Sequence, residues 1–450
     1  MTAAAMRRST ARPAPVRHGY RFELIKLTSQ WRIRLMVLGC WIGPALFVAA
    51  VSRQSSLPAD TVFGRWMGQS GWAGSLVVLS FCCSWVLPLM TSLVAGDVFG
   101  AEDRFGTWRH LLVAVRSPRR IFAAKALAGL TVILVLFAGL TASGVIGGLA
   151  AVGNQPLVGL DGQLLASGHA AIAVLLAWAC TLAPTLAFAA VGLLGSVALG
   201  RSPMGLFMPA LLALLLQLAQ MLPLPVAVRV ALPSYSFLAW RGLFTEPTQL
   251  GPIMVGTVVS LLWAVAATAL AYLLFMRRDF TDLAYDGAGR RVLLDAVLPL
   301  TALLAVTVAV CAVAIPASGS GIDRPKLQRS LATAFAHLYR MQTTELHRPS
   351  VTEAQLRTSA SCDKGGSLVD DLGPGNDWRC VVSWHLPGAR ATGSAIYQLD
   401  VTSDGRYVAD GDGPQTVNGF FQVHTAIGDA PNPLWQFDGS VELLTSTAKG

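Results

Sequence analysis

In the stretch from Gly96 to Lys125, six cations (Arg104, Arg109, Arg116, Arg119, Arg120 and Lys125) stand against three carboxylates (Asp97, Glu102 and Asp103). Such side chains do recognition chemistry, through ion pairs and charge-assisted hydrogen bonds to a partner of opposite sign. The stretch separates two long apolar segments, so a short charged loop in water is expected, either a docking surface or an ordinary solvated connection. Catalytic chemistry finds no such residues. The chain has no GxxxxGK[ST] phosphate loop, no HExxH, no nucleophile beside a base and no metal-ligand spacing. Gln217, Gln220 and Asp295 are too scattered for a proton relay, and His169 stands alone at the start of an apolar run. Cys362 and Cys380 lie in a polar C-terminal region where a disulfide is expected, whereas Cys40, Cys82, Cys83, Cys180 and Cys311 fall in apolar runs. There a thiol serves as a small hydrophobe.

The elements that must position these residues are membrane spans. Of 450 residues, 53% are hydrophobic and only 13% charged, against about 25% charged in globular proteins. The fold class expected is a polytopic α-helical membrane protein of about seven transmembrane helices, with a small C-terminal α+β domain. Apolar runs place the spans at Leu35–Val51, Ala73–Ala95, Ile121 to about Val152, His169 to about Leu199, Met204–Leu222, about Ile253–Met276 and Val292–Ile315. Pro184 kinks or breaks the fourth in mid-membrane. Gly144 and Gly148, one helical turn apart, offer a close-packing face for a second subunit or for a neighbouring span.

Charge sets the expected orientation. The net charge of +9 is uneven: residues 1–315 hold 23 cations and 11 anions, the remainder 11 and 14. Eighteen of those 23 cations fall in the N-terminal tail and the loops 96–125 and 277–291, which are therefore expected inside, with the C-terminal region outside. This bias accounts for the basic residues without a nucleic-acid partner. Residues 1–34 read as a basic tail and an interfacial helix, with Phe22, Leu24, Ile25, Trp31, Ile33 and Leu35 among the cations. Residues 223–252 are too broken by proline and arginine to span, and Tyr235, Phe237, Trp240 and Phe244 are expected as aromatic anchors at the outer interface. A cytoplasmic linker and the seventh span, residues 281–315, lead to the domain 316–450.

That domain opens with a helical pattern, Leu327, Leu331, Phe335, Leu338, Met341 and Leu346 lining one face. Period-two segments follow from Cys380 to Leu386, Ala395 to Val401 and Tyr407 to Ala409, with a hairpin turn at Ser403-Asp404-Gly405. One helix on an antiparallel sheet is the natural packing, with Trp378, Trp384 and Trp435 as core residues rather than ligand platforms. Asp410, Asp412 and Asn418 hint at a calcium loop, but Pro414 occupies the place of the third ligand.

Within the charged stretch, Glu102 is followed by Gly106-Thr107, the pair Leu111-Leu112, Ser117-Pro118 and a basic re-entry ending at Ala124-Lys125. This order, after the second span and behind an amphipathic basic segment, resembles the loop between the second and third spans of the type-2 ABC exporter permease family. The resemblance covers about residues 20–280, and the chain departs from the family's six-span core by one added span. It implies a six-span permease core at 35–280, with the loop 96–125 docking into a separate ABC ATPase subunit. It further implies coupling roles for Glu102, Gly106, Thr107 and Arg109, and short external helices at 223–252. ATP would be bound by the partner, with no cofactor in this chain. The permease would pair with itself or a related permease in the lipid bilayer of a bacterial cytoplasmic membrane. Export of a lipid-like, drug or peptide cargo is the function implied. The alternative is a membrane-anchored extracytoplasmic ligand-binding or sensor protein.

Overall fold

The computed structural model describes residues 15–54, 67, 70–200, 204–278, 280, 293–317, 319–425 and 428–444. Most of the expected basic tail, the turn at 201–203 and the basic linker at 281–292 lie outside the described residues. An amphipathic helix α1 (Val16–Ser29) breaks at Gln30, which is extended, before the first membrane helix α2 (Trp31–Val51). Then come α3 (Gly71–Phe105), the short α4 (Trp108–Val115) and the long α5 (Pro118–Ala151).

Among the described residues, six helices are long and apolar enough to cross a membrane: α2, α3, α5, Ser167–Leu199, Gly251–Arg277 and Leu294–Ala314. The count differs from the expected seven at the fifth span. That segment is the helix α8, Met204–Ala219, of 16 residues. It runs beside α3 from near Gly100, which Gly200 approaches, to Cys83, whose carbonyl Gln217 reaches, so it still returns the chain across the bundle. It stops before Pro223 and Pro225, neither of which can continue a helix.

Proline also shapes two other spans. The fourth is split into α6 (Ser167–Cys180) and α7 (Leu182–Leu199), three residues ahead of Pro184. Two hydroxyls reinforce backbone bonds at the break: Thr181 Oγ1 donates to Trp178 O at 2.7 Å and Thr185 Oγ1 to Thr181 O at 2.6 Å, carbonyls that also accept from the Thr181 and Thr185 N–H groups. In α3 a π turn at Cys82–Val86 precedes Pro88, and Leu87 N–H reaches back to the Cys82 carbonyl. The Cys83 carbonyl in that turn accepts from Gln217 Nε2 at 2.7 Å. Such wide turns are a usual source of local helix distortion.

The glycine face of α5 is used inside the chain. A Cβ on Gly148 would lie 2.1 Å from the Gly71 carbonyl oxygen, so the two backbones meet with no room for a side chain. Helix α7 is central, flanked by α3 and by α10 (Gly251–Arg277). Between α8 and α10 the chain forms α9 (Val226–Val230) and two 3₁₀ turns, Tyr235–Phe237 and Ala239–Phe244. Here the structure corrects the expectation of interfacial anchors. Tyr235, Phe237, Trp240 and Phe244 are all buried, because the C-terminal domain and the helix ends cover both sides of this segment.

The last membrane helix α11 (Leu298–Ala314, entered through a π turn at Leu293–Val297) leads to α12 (Arg324–Glu345). Asp323 caps α12 by accepting from Lys326 N–H. Beside two small hairpins, β1 (Leu157–Val158) with β2 (Leu164–Leu165) and β7 (Gln422–Thr425) with β8 (Gly428–Pro431), a five-stranded antiparallel sheet has the order β3 (Ser359–Lys364), β4 (Gly375–His385), β5 (Thr392–Val401), β6 (Arg406–Gly411), β9 (Gln436–Ser440). Leu327, Leu331 and Phe335 are fully buried against its inner face, where Trp378, Cys380, Val382, Tyr397 and Leu399 alternate inward. Trp384 stacks on Phe335 with centroids 4.8 Å apart. Cys362 and Cys380, directly paired across β3 and β4, form a disulfide. Asn418 ties the Ile396 backbone through both its amide atoms and Asp412 pairs with Arg379, so these two side chains already serve the sheet.

Candidate functional site

The charged stretch is not the open loop that the sequence suggests. Helix α3 runs to Phe105, which makes Gly96–Phe105 helical, and Asp97, Glu102, Asp103 and Lys125 are all buried. Each carboxylate is compensated by cations from distant parts of the chain, without which burial of a charge would be prohibitive. Lys125, on the first turns of α5, donates to Glu102 at 2.7 Å, to Glu23 of α1 at 2.9 Å and to the Val98 carbonyl at 3.3 Å. Its ammonium thus spends all three protons. Lys26 of α1 also pairs with Glu102. Asp97 takes Arg32 from α2 and Arg104 from its own helix. Asp103 is gripped by both Nη groups of Arg278, just past α10, and accepts from Trp108 Nε1 at 2.6 Å.

These pairs fix the direction in which α4 leaves α3. Gly106 ends α3 in the left-handed region, with φ of 66°, a conformation glycine adopts without a Cβ penalty. Thr107 then folds back: its N–H donates to the Glu102 carbonyl at 3.1 Å and its hydroxyl to the Glu102 carboxylate. Trp108, the first residue of α4, is buried in an aromatic nest, with Phe99, Phe275 and Phe280 centroids 6.2, 5.5 and 5.4 Å away. The Arg278 guanidinium lies 5.4 Å from its ring, a cation–π contact strengthened by desolvation.

What α4 turns outward is a mixed apolar and basic face. Val113 is 73% exposed, with Arg109, His110 and the capping Arg116 also exposed, and Phe105 at the end of α3 is 74% exposed, while Leu111, Leu112 and Val115 pack on the membrane helices. Of the four residues that the sequence singles out, the structure therefore gathers Glu102, Gly106 and Thr107 into the hinge beneath α4 and leaves Arg109 on its open face. Sequence reasoning missed Trp108, Arg278 and the α1 residues Glu23 and Lys26. The signal for them was three unexplained carboxylates next to an apolar span, a pattern that demands cations from elsewhere.

Chemically, this is a braced prong. A short helix with an exposed apolar-basic face is anchored by one tryptophan and four helices' worth of ion pairs. Residues 21–194, which contain all of this except Arg278 and the ends of its aromatic nest, match the family model described as ABC-2 family transporter protein. No curated protein and no solved structure matches the chain.

Proposed function

From the premise that the chain carries the membrane region of an ABC-2 family transporter, we propose that it is the permease subunit of an ATP-driven exporter, with α4 docking a separate ATPase subunit. The observation that carries this reading is the braced α4, whose exposed face offers Arg109 and Val113, with exposed Phe105 at the end of α3, while its other side is bolted to the membrane helices. An apolar centre with a basic rim suits a partner groove edged by carboxylates. The basic residues around α4 favour the side of the membrane where ATP is found, which puts the disulfide-bonded domain on the opposite side. Two such permeases, identical or related, would frame the path, and cargo would be lipid-like, a drug or a peptide.

Purification of the tagged chain from its host in mild detergent, followed by mass spectrometry, tests the reading. An ATPase should accompany the wild-type chain and be lost from Arg109→Glu/Val113→Asp, which changes only exposed side chains and leaves the buried ion pairs intact. Recovery of the chain alone, or undiminished recovery of the ATPase with the double variant, would overturn it. The reading of the chain as an anchored sensor draws on a different observation, the exposed pair Phe420-Phe421 on the C-terminal domain, and recovery of a signalling kinase in place of an ATPase would favour it.

A further inference from the structure

At the junction between the membrane helices and the C-terminal domain lies a cavity of about 560 Å³. It forms because α8 stops early. The turn between β5 and β6 fills part of the space beyond the end of α8, and Ser403 Oγ donates to the Gln220 carbonyl at 3.1 Å. One wall is apolar: Trp85 from the π turn of α3, with Leu218, Met221 and Pro223. Trp85 is 45% and Met221 72% exposed, so this wall faces outward from the protein.

The level of the cavity follows from helix geometry. Trp85 stands twelve residues from Asp97, and the cations Arg32 and Arg104 paired there are taken as one edge of the hydrocarbon. That is about 18 Å along the helix, well inside a hydrocarbon core of roughly 30 Å. Irregular backbone and charge at such depth persist only where they are covered by protein or line a polar cavity.

The opposite wall is polar and carries an excess of positive charge. Asp404 accepts from Arg241 Nη1 at 2.5 Å, from Arg406 Nε at 3.3 Å and from the Thr402 hydroxyl at 2.5 Å, so one carboxylate serves two guanidinium groups. Among the described residues the Nη groups of Arg406 make no hydrogen bond, and buried Gln220, which also lines the cavity, has an unpartnered Oε1. Burial and the neighbouring Arg406 charge draw the Arg241 guanidinium down to about 10, so it still carries its charge at neutral pH.

We infer that this cavity binds an amphiphile with an anionic headgroup, which Arg406 receives, and an apolar tail, which lies along Trp85, Leu218 and Met221 and reaches the bilayer between α3 and α8. The volume suits a small amphiphile, ligand pockets commonly spanning roughly 300–1,000 Å³. The site is a property of this chain by itself, so it does not depend on an ATPase partner, and its failure would leave the docking of α4 untouched.

Tryptophan quenching in nanodiscs of zwitterionic lipid tests it, using dibromostearate as the anionic probe and dibromostearyl alcohol as its neutral counterpart. Dibromostearate should quench saturably, and Trp85→Phe should remove that component. The alcohol, and dibromostearate on Arg406→Gln, should each bind about tenfold more weakly, the worth of one charge-assisted contact. Leu218→Trp, which fills the apolar wall without touching a charge, should block the site in a chain that still elutes as a single species. Equal quenching by acid and alcohol, or quenching indifferent to Trp85→Phe and Arg406→Gln, would overturn the inference. A dibrominated phosphatidylglycerol arm separates the two sources of such a ligand. Retention of it through purification identifies a resident membrane lipid, and free exchange by stearate identifies a transient guest.

Discussion

Glu102 and Lys125 are each 1% exposed and face one another at 2.7 Å, which makes this pair the most consequential in the charged stretch. A buried pair contributes little net stability, but loss of one partner leaves a bare charge and costs about 3–5 kcal/mol. Glu102→Gln should therefore lower the thermal midpoint in detergent markedly, and Glu23→Gln/Glu102→Gln/Lys125→Met should recover much of the loss, because the buried charges then disappear together. A triple variant no better than the single one would remove this buried cluster from the balance of the fold. Glu102 thus acts through Thr107 and α4 as a positioning residue, and Glu102→Arg, which sets three cations side by side, would disturb the fold of the hinge as well as any docking.

Helices meet closely where their glycines coincide. Gly148 leaves no space for a Cβ against Gly71, whereas a Cβ on Gly39 of α2 would meet nothing within 4 Å. Gly148→Val should force α3 and α5 apart and destabilise the fold by about 1–3 kcal/mol, the usual cost of overpacking. Gly39→Ala should be neutral or slightly stabilising, since alanine is the better helix former by about 1 kcal/mol. Thermal midpoints of the two variants in the same detergent check the contrast, and equal losses would contradict the packing described. At this scale the sequence was legible for the break ahead of Pro184 and for a glycine face on α5. It could not say that the face is spent on α3, because nothing in the spacing of Gly144 and Gly148 identifies their neighbour.

For the molecule as a whole, the junction between domain and membrane helices turns on Asp404. Burial by itself would raise this carboxyl, but Arg241, Arg406 and the Thr402 hydroxyl outweigh it and hold it well below the usual carboxylate range. A depressed folded value means that Asp404 contributes its stability above its unfolded pKa of about 3.9, and that this contribution fades as pH falls below that point. Asp161, which faces His337 of α12 across the same junction, is shifted the other way, because burial outweighs the Glu246 and Gln163 N–H donors and His337, so its contribution to stability is greatest below its unfolded pKa and is lost as pH rises through the folded one. Thermal unfolding followed against pH should thus show Asp404→Asn destabilised at neutral pH, with a smaller acid-induced loss than wild type below about pH 4. Parallel curves for the two proteins would remove Asp404 from the junction's balance.

By itself the sequence determined the class of the protein and the order of its parts. Hydrophobic content and run length dictate membrane helices, and period two after Cys362 dictates strands, because these patterns report local contact with lipid or with one face of a sheet. The pairing of Cys362 with Cys380 was legible for the same reason, as the only thiols in a polar region. The tertiary structure alone decided which charges are buried and who compensates them. Lys26 meets Glu102 and Arg278 meets Asp103 across 76 and 175 residues of chain, so the charged stretch that reads as a solvated loop becomes a buried hinge. Likewise Tyr235, Phe237, Trp240 and Phe244 have the composition of an interfacial belt, yet the packing of a whole domain above them turns them inward. The cavity beside Trp85 exists only because a short helix, a π turn and a hairpin tip converge. Pattern records what a residue prefers to touch, whereas the identity of a partner is settled by the path of the entire chain.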